Sequence, residues 1–175
     1  MRSGRVRRWS VGLALAAAAR AALAADDACA GFKWDVAHEH AVFATAAEAL
    51  SAGIDVASAP SLAPDRLYEL AVAPQDQVKF ALPPGRKAPV QGASAGLARL
   101  HVAGAGDWRI SLDQGFWVDV VAGPELVVAR DFQGRPGCQA PHKIVLYRLP
   151  GGQDLILQFS GAAASHVRVA ITPVK

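Results

Sequence analysis

Beyond residue 24 this chain has no cluster of lysine or arginine. Five of its eighteen basic residues are arginines within residues 1–24, where no acid stands, which leaves thirteen basic against fifteen acidic side chains in the remainder. The overall charge of +3 therefore belongs to the N-terminal segment. With no basic stripe to follow phosphates, nucleic-acid binding is excluded. Apolar runs of membrane-spanning length are missing too. "VGLALAAAARAALA" is broken by Arg20 and falls short of the roughly 20 residues a bilayer requires, so no membrane span is expected after that segment is removed. Helical stretches between the strand-like segments are lacking, which excludes a parallel sheet built with crossover helices. Cysteine is rare: Cys29 and Cys138 are the only two.

What stands at the N-terminus reads as an export signal. "MRSGRVRRW" carries Arg2, Arg5, Arg7 and Arg8, an apolar run follows, and Ala22 and Ala24 around Leu23 form an A-x-A-like site, placing the cut after Ala24. Arg7 and Arg8 precede "WSVGL", a poor match to a twin-arginine signal, and "DDA" before Cys29 is not the lipobox of a lipoprotein. The expectation is a signal peptide over 1–24 and a single domain over 25–175, periplasmic or secreted. In an oxidising compartment an even cysteine count reads as one disulfide, Cys29–Cys138, joining the mature N-terminus to "FQGRPGCQAPH".

Residues 35–43 read as the one short helix, with Asp35 as its cap, Val36, His40 and Phe43 near one face, and His38 and Glu39 pointing elsewhere. The rest of 25–66 reads as a helical or irregular segment packed on the domain, since Gly53, Pro60 and Pro64 interrupt any regular pattern. From Leu67 the hydrophobic period is two. "LYELAVAP", "DQVKFALPP", "LARLHVAG", "DWRISLDQ", "FWVDVVAG", "ELVVARDF", "HKIVLYRLPGG", "DLILQFSG" and "HVRVAITPV" each read as a strand with one buried and one wet face. "GRKAPVQGASAG" reads as a loop or edge and "PGGQDL" as a hairpin turn. Short strands at this spacing predict an all-β fold, an antiparallel two-sheet β-sandwich or jelly roll with one short N-terminal helix after the signal peptide.

The stretches "CAGFKWDV", "DWRISLDQGFWVDVV" and "KIVLYRLPGGQDLILQFSGAAASHVRVAIT" resemble a family of small exported bacterial proteins of unknown function, and more loosely the jelly-roll domains found C-terminal to secreted peptidases. Some members of the first family are labelled homogentisate-dioxygenase-like. That resemblance implies a cupin barrel holding Fe, with Gly31, His38, His40 and Glu48 in the order of a first cupin motif and His101 or His142 as the later ligand. The residues themselves read differently. Two imidazoles at H-x-H spacing share a metal on an extended backbone, whereas on a helix they point about 200° apart. The flanks of His38 and His40 read helical, seven residues separate His40 from Glu48, and the punctuation of a second motif is missing around His101 and His142. Solvated or packing histidines are the expectation, and an iron site through His38 and His40 is the alternative.

Other chemistry is weakly supported. Ser160 lacks a G-x-S-x-G elbow, and a set of Ser160, His142 and Asp131 has no motif behind it. Asp113, Asp119 and Asp131 do not follow a calcium-loop pattern and read as solvated acids. The aromatic residues are more informative. In "FWVDVV" adjacent Phe116 and Trp117 must face opposite sides of a strand, so one of them leaves the core unless a helix or loop covers it. A concave patch of Trp117, Arg109 and Asp119 is the candidate contact surface. The function expected is a non-enzymatic binding or accessory module of the cell envelope, with an envelope protein or glycan as partner. The alternative is a cupin-like iron-dependent dioxygenase of the homogentisate 1,2-dioxygenase type.

Overall fold

A computed structural model describes residues 29–86 and 90–174, so the proposed export segment and its cleavage site lie outside the described residues. In chain order the elements are α1 (Ala37–Phe43), β1 (Glu48–Ser51), β2 (Ser61–Leu62), β3 (Leu67–Ala71), β4 (Ala73–Pro74), β5 (Ser94–Val102), β6 (Gly106–Leu112), β7 (Trp117–Ala122), β8 (Glu125–Val127), β9 (Ala129–Gly134), β10 (Lys143–Leu149), β11 (Gln153–Ala162) and β12 (His166–Pro173).

The strands form two sheets. Sheet A has the order β1-β3-β12-β6-β10-β9 and sheet B the order β2-β5-β11-β7-β8, with β4 pairing β5. Setting aside the short β1, β2 and β4 and the edge strand β9, the remaining eight wind as a jelly roll. Sheet A then holds the first, eighth, third and sixth of them, and sheet B the second, seventh, fourth and fifth. Period-two patterning accounts for this directly. Ile110 and Leu112 of β6, Val118 and Val120 of β7, Leu155, Leu157 and Phe159 of β11, and Val167, Val169 and Ile171 of β12 all meet in one core between the sheets.

Both sheets are mixed, not purely antiparallel: β1 pairs β3 and β2 pairs β5 in parallel. No crossover helix is needed, because the chain passes from β1 in sheet A to β2 in sheet B and returns to β3, so the other sheet serves as the crossover. Of these strands β1 and β2 lie within 25–66, which is therefore less irregular than its prolines imply.

Three other expectations are corrected. "DQVKFALPP" is not a ladder strand: after a 3-10 turn at Gln75–Gln77 it runs as a strap over the outer face of sheet B. Its alternation is real, since Val78 and Phe80 pack on Leu97 and Ile156 of that face. Its backbone, however, is held by a side chain. The Leu82 N–H donates to Gln158 Oε1 and Gln158 Nε2 donates to the Leu82 carbonyl, each at 3.1 Å. "ELVVARDF" splits at Val128 into β8 and β9 because the chain changes sheets there. "PGGQDL" is an arch between sheets and not a hairpin, since β10 and β11 belong to different sheets. Gly151 permits the arch: a Cβ there would sit 2.3 Å from the Gly104 backbone.

The helix begins at Ala37, with Asp35 Oδ1 accepting the Ala37 N–H at 3.0 Å. Through Val42 and Phe43 it packs on Leu67 and Ala170, covering part of the outer face of sheet A. The disulfide Cys29–Cys138 is formed and links the segment before α1 to the loop between β9 and β10.

Candidate functional site

At one side of the sandwich the sheets part between β7 and β8 on one hand and β9 and β10 on the other. Alternation along β10 directs Lys143, Val145 and Tyr147 inward, and Phe132 pairs with Val145 on the same face of sheet A. Across from them stand Trp117 and Val118 of β7. The result is a slot of about 60 Å³, with aromatic walls from Trp117 and Phe132 and a floor of Val118, Val145 and Tyr147. Two of its walls are exposed: Phe132 is 66% exposed and Trp117 38%.

Two polar groups reach the slot. Tyr147 Oη donates to the Val118 carbonyl at 2.7 Å. Lys143 Nζ donates to the Phe116 carbonyl at 3.0 Å and lies 5.5 Å from the centre of the Trp117 ring. Burial holds the lysine ammonium below its ordinary pKa, the positive charge of Arg86 adds to that, and Asp119 opposes it. Asp119 is committed elsewhere, accepting Trp117 Nε1–H at 2.7 Å and the Gly85 N–H at 3.0 Å.

Tyr147 yields a spectroscopic prediction. Burial, and after it the charge of Asp119, raises its phenol far above the ordinary value of 10.0. A folded-state pKa above the unfolded one contributes stability that is complete below the unfolded pKa and is lost as pH rises past it. One of the two tyrosines is therefore expected to ionise only as the chain unfolds at alkaline pH. Phenolate absorbance followed beside circular dichroism tests this, and both tyrosines titrating in the folded protein would refute it. Lys143, shifted downward, gains stability as pH rises towards its unfolded value, so tyrosine ionisation is a cleaner readout than melting temperature.

Of the residues expected to form one patch, Trp117 and Asp119 are joined by the indole hydrogen bond, but Arg109 is not with them. It lies on the outward face of β6 in the opposite sheet, beneath α1. Trp117 is not covered by the helix, because α1 packs on sheet A and Trp117 belongs to sheet B. Arg109 Nη1 donates to both carboxylate oxygens of Glu39, at 3.3 and 3.2 Å, and to the Asp35 carbonyl at 2.7 Å, while its guanidinium lies 5.5 Å from the Trp34 ring. Thr172 Oγ1 donates to Glu39 Oε1 at 2.7 Å. Glu39 is thus a buried anchor of the helix, not one of its outward residues as expected. Thr172 and Arg109 pair across β12 and β6, and two outward polar residues side by side under a covering helix were the signal that it must supply an acid.

The histidines do not converge. His38 and His40 ride two positions apart on α1; His38 Nε2 lies 2.7 Å from Asp65 Oδ1, and His40 meets the edge of Phe32. His101 pairs with Asp154 on the exposed side of sheet B, and His142 lines a separate depression beside Asp113 and Gln139. Among the described residues no three histidine, cysteine or acidic side chains group as a metal site. The space between the sheets, where a cupin carries its iron, is filled by the apolar core, so the donor set does not fit such an iron site. The three aspartates are held apart: Asp113 by Arg168, Asp119 by Trp117 and Gly85, and Asp131 by Lys33 at 2.6 Å. Ser160 Oγ is buried and has no hydrogen-bond partner, a histidine included, among the described residues. A wider concavity, about 780 Å³ between Pro74 and Ser94, has Asp76 as its one ionisable lining residue among the described residues.

Among the described residues no helix is long and apolar enough to cross a membrane. Compared with known proteins, the chain matches no family model and no curated protein.

Proposed function

We propose that this chain is a non-enzymatic binding module of the cell envelope, periplasmic or secreted, which holds an apolar segment of a partner protein in the slot between β7 and β10. The observation that carries the reading is the joint exposure of Trp117 and Phe132 on a cleft lined by one charged group. Interfaces concentrate their energy in aromatic anchors of this kind. The slot favours protein over glycan, because a sugar needs several hydrogen-bonding partners beside its stacking ring, and Lys143 alone offers spare donors here. The disulfide and the N-terminal signal support an extracytoplasmic setting.

The test is photo-crosslinking in the native host, with p-benzoylphenylalanine replacing Phe132 in one variant and Ile54, exposed on another face, in a second. A defined adduct is expected from position 132 and none from position 54. Adducts from both positions, or from neither, would sink the reading.

A further inference from the structure

From the geometry of the slot we infer that its occupant is the C-terminus of a partner polypeptide, with the free α-carboxylate on Lys143 and the last, apolar side chain between Trp117 and Phe132. The inference rests on the reading of the slot as the contact surface and adds the chemistry of what is recognised there.

Lys143 sits at an inward position of β10, half-buried among apolar and aromatic side chains. A lysine so placed is ordinarily paired with an anion. Here its protein partner is a neutral carbonyl, that of Phe116, which uses one of the three ammonium hydrogens. Among the described residues no carboxylate lies within ion-pair distance of it. The nearby acid, Asp119, accepts from Trp117 and Gly85 and acts on the ammonium only from a distance. The site therefore offers two ammonium hydrogens and a positive charge that no carboxylate touches, inside a slot whose other lining residues are apolar or aromatic. An anion joined directly to a compact apolar group complements this arrangement, through a charge-assisted hydrogen bond made where water is partly excluded.

The dimensions narrow the class. A slot of about 60 Å³ matches one small aliphatic side chain. A free small carboxylate would fill the slot yet leave the outer part of the Phe132 ring uncovered, and its few atoms limit the affinity it can reach. A polypeptide end satisfies all three features: the carboxylate for Lys143, the terminal side chain for the slot, and the preceding residues for the outer part of the Phe132 ring. Capture of terminal carboxylates is an established mode of peptide recognition.

The probe is a pool of fluorescent hexapeptides, randomised at the first five positions and ending in valine, prepared as the free acid and as the amide. Fluorescence anisotropy with the purified protein is expected to show the acid binding about tenfold or more tightly than the amide, the effect of a charge-assisted hydrogen bond. Lys143→Met should bring the two pools together, Lys143→Arg should keep the preference, and Phe132→Ser should weaken acid and amide alike. Circular dichroism identifies a variant that has lost its fold, and the arginine variant then carries the comparison.

Acid and amide binding equally, or a preference that survives Lys143→Met, overturns the inference. So does displacement of the acid pool by isobutyrate at comparable concentration, which would assign the slot to a free carboxylate, or self-association through Phe132 with no peptide bound. No peptide binding alongside a persistent crosslink from position 132 overturns this inference and leaves the contact surface standing. Loss of both removes both.

Discussion

Replacing Arg109 by alanine is expected to destabilise the protein by about 3–5 kcal/mol, the range seen when one member of a buried ion pair is removed. Glu39 is 1% exposed and Arg109 only 12%, so the substitution leaves a carboxylate at the helix–sheet interface with the Thr172 hydroxyl as its remaining donor. It also removes the bond to the Asp35 carbonyl and the cation facing Trp34, both of which hold the approach to α1. A seven-residue helix has little stability of its own, so undocking and unfolding of α1 are one event. Glu39→Gln should be much milder, because an amide oxygen still accepts from Thr172 and Arg109. Most telling is the pair Glu39→Leu with Arg109→Met, which removes both charges and is expected to lose less than Arg109→Ala alone. Chemical denaturation of the four proteins measures this. A double variant at least as unstable as Arg109→Ala would mean that the loss does not come from the desolvation of a carboxylate left without its partner.

The same residues show where the sequence was readable. Strands whose two faces differ in polarity were legible: β6, β7, β10, β11 and β12 lie where alternation put them, and Phe116 is buried while Trp117 is half-exposed, as adjacent positions require. The disulfide followed from a count of two. What alternation cannot say is which sheet a strand joins. Arg109 and Trp117 both point outward from their strands, and proximity in sequence made one patch of them; the jelly-roll winding sends β6 and β7 to opposite sheets and separates them. Alternation also cannot distinguish a strand from a strap. The run from Val78 to Leu82 turns Val78 and Phe80 onto the sheet with Lys79 exposed between them, yet at Leu82 its backbone is held by the Gln158 amide and not by a neighbouring strand. Glu39 was hidden because a short helix has too few turns to define its buried face, and a carboxylate is by default assigned to water. Lys143, by contrast, was within reach: it shares parity with Val145 and Tyr147, and a lysine at a core-facing position asks for an explanation.

The Cys29→Ser, Cys138→Ser pair is the second large effect. The bond joins residues 109 apart, and removing a loop constraint of that size from the unfolded chain is worth roughly 4–5 kcal/mol in loop-closure entropy. For a domain of this length that corresponds to a fall in melting temperature on the order of 10 °C. A native-state contribution adds to it. The segment following Cys29 guards the outer edge of β9: Lys33 N–H donates to Gln133 Oε1, Gln133 Nε2 to the Gly31 carbonyl, and Lys33 Nζ to Asp131 and the Phe132 carbonyl. Edge strands left uncovered are pairing sites for other chains, and β9 carries the exposed Phe132. The serine variant is therefore expected to show faster hydrogen exchange at Gly31–Lys33 while β11 and β12, at the centre of the two sheets, keep protection up to the lowered global limit. Folding kinetics separate the two contributions: a lost constraint on the unfolded chain slows refolding, and lost native contacts speed unfolding. A variant as stable as the parent would mean that the segment is held by its hydrogen bonds alone and that the covalent link adds nothing to the fold.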